Sequence, residues 1–196
     1  MRWAGAVFLG AALGLAAAAT DVVAGGIDQT GAWRALDMLL NAGSVWAGLA
    51  VLCGWLLLTP GRGAVAGLLG LACAVAGYYA YGRISGDRAD VGLGGLSGVI
   101  RVWAVAAVFA GPILGGVGAL IRRAGVPGLV AALVVPVGTI AEMLLVHHLD
   151  LGAFAIDPWL AWTQLGLILL ACAGAVLAML RTLGIPHRVP VPVDLT

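Results

Sequence analysis

Residues 126–148 read VPGLVAALVVPVGTIAEMLLVHH. A helix rises about 1.5 Å per residue and the hydrocarbon core of a bilayer is about 30 Å thick, so about 20 apolar residues cross it. This stretch is long enough, carries no arginine, and holds one acid, Glu142. Pro127 stands near its start, where a helix tolerates proline because the missing N–H has no partner there anyway. The stretch is therefore read as a membrane-spanning helix.

Five more stretches of the same kind lie outward from it, near residues 3–24, 38–59, 63–82, 99–120 and 158–180. Gly61-Arg62-Gly63 separates the second from the third, and Arg122-Arg123-Ala124-Gly125 separates the fourth from the fifth. Asp157-Pro158 reads as an N-cap followed by proline at the first helical position, which opens the sixth. The expected fold is all-α: a polytopic membrane protein with six transmembrane helices in one bundle over residues 1–184. Residues 185–196 contain Pro186, Pro190 and Pro192 and no helical period, and are expected as a mobile tail. Arg2, an apolar run and Ala17-Ala18-Ala19 mimic a secretory signal with its cleavage site. The long apolar stretch and the single charge before it favour a first helix that is retained.

Composition agrees with the spans. Of 196 residues, 62% are hydrophobic and 10% charged, with mean hydropathy +1.09. Soluble domains run near 45–50% apolar and about 25% charged. A chain this apolar lacks the polar groups to cover a water-soluble globule, so its expected partner is the lipid bilayer. The net charge of +1 and the absence of a basic run exclude a nucleic-acid binder. The basic residues are all arginine, a usage typical of high-GC bacterial genes, which points to a bacterial plasma (inner) membrane. Glycine, at 31 residues, suits closely packed membrane helices. Cys53, Cys73 and Cys172 sit in apolar runs without metal-ligand spacing and read as small buried hydrophobes.

Orientation follows the arginines. With both termini cytoplasmic (N-in/C-in), Arg2, Arg62, Arg122, Arg123, Arg181 and Arg188 share that side, as the positive-inside rule prefers. The acids then lie opposite. Asp21, Asp28, Asp37, Asp87, Asp90, Asp150 and Asp157 fall in outer loops or helix ends, and only Asp194 falls inside. Acidic loops are common, but the pattern also describes an acid-lined mouth facing away from the cytoplasm.

Glu142 is the most informative residue. If its helix runs to His148, it lies roughly 9 Å below the outer boundary at 1.5 Å per residue. A carboxyl group at that depth costs several kcal/mol, so it should face the bundle interior with a partner. The low-dielectric surroundings make it a candidate proton donor, hydrogen-bond donor or ion ligand; the structural alternative is an interhelical bond to a Ser, Thr or Asn. Asp37 enters the second span at similar depth. Trp33, Asp37, Asn41 and Ser44 share one face if that helix begins near Thr30. Asp37 and Glu142 are thus candidates for one cavity, and an amphipathic interfacial turn is the plainer reading of the Trp33 face.

The 7 Trp outnumber the 3 Tyr and 3 Phe. Trp3, Trp33, Trp159, Tyr78, Tyr79 and Tyr81 fall near expected interfaces, where aromatic belts form. Trp103 and Trp162 fall deeper and are candidates to line a cavity, where an aromatic face stabilises a cation. His147 and His148 point about 100° apart on a regular helix and cannot share a metal, so no metal is expected. Gly95-Leu96-Ser97-Gly98 matches the G-x-S-G of rhomboid proteases, but no histidine precedes Ser97 to supply an oxyanion donor.

With six spans, buried acids and scattered tryptophans, the chain resembles the small bacterial integral-membrane terpene cyclases of drimane-type prenyl-indole and diketopiperazine pathways. Leu39-Leu-Asn-Ala-Gly-Ser-Val-Trp-Ala and Gly77-Tyr-Tyr-Ala-Tyr-Gly are also similar to a broad family of high-GC bacterial membrane proteins. The resemblance implies terpenoid biosynthesis by a metal-independent, cofactor-free isomerase that protonates an alkene or epoxide of a hydrophobic prenylated substrate. Glu142 and Asp37 then fit the catalytic acids by chemistry. The candidate substrate-facing set is Trp33, Asn41, Trp103, Trp162, Tyr79 and Asp21. Two other readings stand beside it. One is a transport or solute-binding subunit, like the substrate-binding component of a vitamin transporter, with a polar pocket and a small-residue surface such as Gly111–Gly118 for a partner. The other is a non-catalytic accessory membrane protein. The oligomeric state stays open at this level.

Overall fold

A computed structural model describes residues 2–26, 31–86, 93–146 and 157–183. The described residues form helices α1 (Arg2–Gly26), α2 (Ala32–Asn41), α3 (Gly43–Leu57), α4 (Pro60–Ile84), α5 (Leu93–Leu120), α6 (Val126–Leu145) and α7 (Pro158–Leu183), and no strand. Five of these helices are long and apolar enough to cross a membrane on their own. The bent pair α2 and α3 makes a sixth span if counted as one. The protein is a polytopic all-α membrane bundle. The expected tail, residues 185–196, lies outside the described residues, as do Asp28, Asp87, Asp90, His147, His148, Asp150 and Asp194.

The second span departs from expectation. It begins at Ala32 and breaks at Ala42, where the two halves bend by 48°. Ala42 is extended (φ −60°, ψ 132°), so the helical ladder cannot pass through it. The groups freed by the break find local partners. Ala42 O accepts from Val45 N at 3.0 Å and Trp46 N at 3.4 Å. Trp46 Nε1 donates to Leu40 O at 2.9 Å, and Asn41 Nδ2 donates to Asp37 O at 3.2 Å. Helix ends buried without such partners are rare, because an unpaired peptide group at this depth costs several kcal/mol. The break also moves Ser44 onto α3, so it does not continue the α2 face of Trp33, Asp37 and Asn41.

Three other expectations need correction. Gly61-Arg62-Gly63 is not a separator; it lies in the first turn of α4, and the turn is Leu58-Thr59, with Leu58 left-handed at φ 68°. Helix α6 ends at Leu145, which places Glu142 in its last turn rather than well inside it. Cys172 is exposed on α7, whereas Cys53 is buried. The expected Asp157 cap is present: Leu160 N donates to Asp157 Oδ1 at 3.2 Å, and α7 starts at Pro158.

The core is built from α1, α3, α4 and α5. Leu49, Ala50, Cys53, Leu71, Ala74 and Tyr79 are buried in one cluster. Small residues set the spacing. Gly10 and Gly14 on α1 lie against the backbone of Gly70 and Ala74 on α4, and Gly54 on α3 lies against Gly115 on α5. Gly111 and Gly115 meet Gly67 and Gly63, and Gly118 meets Val51. In hydrocarbon, where tails are as apolar as leucine, close packing of this kind drives helix association. The Gly111–Gly118 stripe is therefore used inside the bundle and not as a surface for a partner. Helices α6 and α7 form a separate pair that leans on the rest through α2, α3 and α5.

Candidate functional site

Thr20, Asp37 and Asn41 gather around the break. Ala17 on α1 accepts from Asn41 Nδ2 at 3.5 Å, which fixes the break's depth. Ala17 stands nine residues before the end of α1 at Gly26, or about 14 Å along the helix. A polar network at that depth is expensive unless its members satisfy one another.

Asp37 is the centre of that network. Its Oδ1 accepts from Asn41 Nδ2 at 2.7 Å. Thr20 Oγ1 lies 3.4 Å from the same oxygen, 3.2 Å from Ala16 O and 2.9 Å from Ala17 O, so its one proton has three acceptors within reach. Asp21 follows Thr20 on α1, close enough to Asp37 for their charges to interact. Asp21 Oδ2 accepts from Tyr78 Oη at 2.6 Å. Tyr78 is held edge-on by Trp46 and Tyr79, with ring centroids 6.3 Å and 5.3 Å away. Tyr79 is thus a buried support behind Tyr78, part of the core cluster.

A cleft of about 460 Å³ opens beside Asp37, lined by Arg34, Asp37, Met38, Asn41, Val146, Leu160 and Gln164. Its size falls in the usual range for small-molecule sites. Gln164 comes from α7 and is only 5% exposed. With Asn41 it gives the cleft lining two amide groups. Arg34 sits across from it, 3.9 Å from Asp157 Oδ2.

Glu142 does something else. Its Oε1 accepts from Gly43 N at 2.6 Å and its Oε2 from Ser44 N at 2.8 Å. These are the first two N–H groups of α3, so Glu142 caps that helix from α6. A carboxylate there completes backbone groups that lack intrahelical partners and meets the positive end of the helix dipole. It holds the helix start just past the break, near the Asp37 network but not on the cleft wall. The adjacent Ser44 Oγ is buried without a hydrogen-bond partner among the described residues.

The structure thus brings Asp21, Asp37 and Asn41 together, with Tyr79 behind them and Glu142 at the neighbouring helix end. It does not bring in the tryptophans. Trp103 on α5 and Trp162 on α7 are 54% and 62% exposed on the outside of the bundle, and Trp33 is 47% exposed. Thr20, Arg34 and Gln164 belong to the site and did not stand out in the sequence. Gln164 had a signal of its own, a lone amide in an apolar span. Ser97 lies in the first turns of α5. Among the described residues no group of three or more His, Cys, Asp or Glu is placed to hold a metal. Comparison with protein-family models, curated proteins and solved structures returns no match.

Proposed function

We propose that this protein binds a small polar solute in the Asp37 cleft, as a transport or solute-binding protein of a bacterial plasma membrane. The observation that carries this reading is the cleft wall at the break in the second span. Asp37, Asn41 and Gln164 present a carboxylate and two amides, and Gln164 is buried in that wall. A discontinuous span beside a polar cavity is also how transporters expose backbone and side-chain ligands at membrane depth. The chemistry selects a solute with a cationic group for Asp37 and hydrogen-bonding groups for the amides.

A second reading, protonation-initiated cyclisation of a prenyl chain, draws on one observation. Met38, Val146 and Leu160 give the same cleft an apolar side. In that reading Asp37 is the acid beside the substrate, because Glu142 is occupied as a helix cap.

The test uses the purified full chain in detergent. Thermal unfolding is followed with a panel of small amines, quaternary ammonium ions and amino acids. One class is expected to raise the unfolding temperature of the wild type but not of Asp37→Asn or Gln164→Leu. Equal shifts in all three proteins, or none, overturn the solute reading. Conversion of a prenylated aromatic compound to a cyclised product, lost in Asp37→Asn, selects the second reading.

A further inference from the structure

The opposite end of the bundle carries a second cleft, of about 360 Å³, along the seam between α6 and α7. Its mouth is basic. Arg122 and Arg123 come from the α5–α6 turn, and Arg181 with Thr182 comes from the last turns of α7. No Asp or Glu is among its lining residues. Arg122 is braced, its guanidinium carbon 4.1 Å from the centroid of the Trp55 ring. The α5–α6 turn is tucked tightly, with Gly128 against the carbonyl of Arg123 and Gly125 at φ 81°, a backbone conformation that suits glycine. The arginine pair is therefore placed by the fold.

Away from the mouth the lining is apolar. Leu129, Ala132 and Pro136 on α6 face Gly174, Leu177 and Ala178 on α7. From Gly125 to Pro136 the groove runs eleven residues along α6, about 16 Å at helical rise. That is a cationic mouth at the end of the spans leading into a greasy channel at hydrocarbon depth. The ends of the neighbouring helices add charge of the same sign. Arg2 opens α1 and donates to Leu56 O at 3.4 Å, so it shares this end with Arg122.

We propose that the α6–α7 cleft binds an anionic phospholipid, with its phosphate on Arg122, Arg123 and Arg181 and an acyl chain along Leu129, Pro136 and Leu177. The guanidinium fork matches phosphate oxygens in pairs. Basic clefts between spans on the cytoplasmic side are suited to anionic head groups. A soluble phosphate has use for the mouth only. A zwitterionic lipid has use for the groove but brings its own positive charge to the arginines. The combination of both halves selects the anionic lipid. The site is independent of the Asp37 cleft.

The test titrates delipidated protein in detergent with phosphatidylglycerol, phosphatidylcholine or inorganic phosphate, reading thermal unfolding and lipid retention by native mass spectrometry. Phosphatidylglycerol is expected to stabilise and to be retained, and phosphatidylcholine is not. Arg123→Gln/Arg181→Gln is expected to weaken phosphatidylglycerol binding about 30-fold, at about five-fold per arginine near a lipid surface. Ala178→Phe, which fills the groove and leaves the arginines, is expected to lose the lipid as well. Equal retention of phosphatidylcholine, or unchanged binding in the double arginine variant, overturns the proposal. So does full stabilisation by inorganic phosphate alone, because that outcome leaves the groove without a role.

Discussion

Glu142 in the last turn of α6 holds the first turn of α3 through Gly43, whose N–H donates to Oε1 at 2.6 Å. The residues are 99 positions apart, and their contact ties the α6–α7 pair to the core. The carboxylate does two jobs with one group. It satisfies Gly43 and Ser44, and it fixes where the second span restarts after Ala42.

That arrangement sets the expectation for Glu142→Gln. The amide keeps one acceptor oxygen, loses the charge facing the helix dipole and brings an NH₂ toward an N–H donor. Loss of an N-cap costs about 0.5–2 kcal/mol, with charged caps toward the upper part. The unfolding temperature of the detergent-solubilised protein should fall by a few degrees, and by more in Glu142→Ala. An unchanged midpoint in both variants removes the capping role.

Asn41 predicts a separate effect at the cleft. It donates to Asp37 Oδ1 at 2.7 Å and to the Asp37 carbonyl at 3.2 Å, so it positions the carboxylate and closes the end of α2 together. In Asn41→Ala the carboxylate keeps only Thr20 among these donors. Binding of the solute found with wild-type protein should weaken about ten-fold, the worth of one charge-assisted hydrogen bond. Titration followed by intrinsic tryptophan fluorescence checks this. Equal affinity in the two proteins makes Asn41 a purely structural residue.

The contrast between these acids shows what the chain's order reveals and what it hides. Hydropathy and local capping decide the spans: the α5–α6 turn at Arg122–Gly125 and the Asp157-Pro158 start of α7 depend on neighbours in sequence and were readable. The break at Ala42 was not, because residues 38–59 are apolar on average and the group that completes the new helix end comes from Glu142. Asn41-Ala-Gly-Ser44 held the local clue, an amide and a glycine within a span. Glu142 was legible as a buried acid that needs a partner. That the partner is backbone rather than a side chain depends on the bend, which no periodicity reports. Trp103 and Trp162 were misplaced for a simpler reason: in a bilayer an aromatic ring is as well solvated by lipid as by a cavity, so depth alone does not say which way it faces.

Asp157 separates a cap from an ion pair. Its Oδ1 accepts from Leu160 N at 3.2 Å, while Oδ2 is buried, has no hydrogen bond among the described residues, and lies 3.9 Å from Arg34. Asparagine keeps the cap and removes a poorly compensated charge; alanine removes both. Asp157→Asn should therefore unfold within about 0.5 kcal/mol of wild type, because a pair held at 3.9 Å to a half-exposed arginine contributes little, and Asp157→Ala should lose about 1 kcal/mol. Thermal unfolding of both variants decides it. A loss in Asp157→Asn as large as that in Asp157→Ala would make the ion pair the dominant contribution.

The glycines offer a test of the packing itself. A Cβ on Gly115 would meet the backbone of Gly63 and Gly67, and those carbonyls and Cα atoms belong to a rigid helix and cannot step aside. A Cβ on Gly138 meets nothing within 4 Å, although it sits in an equally apolar span. Gly115→Val must push α4 and α5 apart along their length and forfeit the contacts of the core, while Gly138→Val adds an isopropyl group facing open space. Gly115→Val should yield little monodisperse protein by size-exclusion chromatography in detergent, and Gly138→Val should elute like wild type. Val at both sites enlarges the contrast, because its methyl groups add to the clash that the Cβ alone already makes at Gly115. If the two variants behave alike, the α4–α5 interface is not the close glycine contact described here, and the spacing of the whole core must be set by other residues.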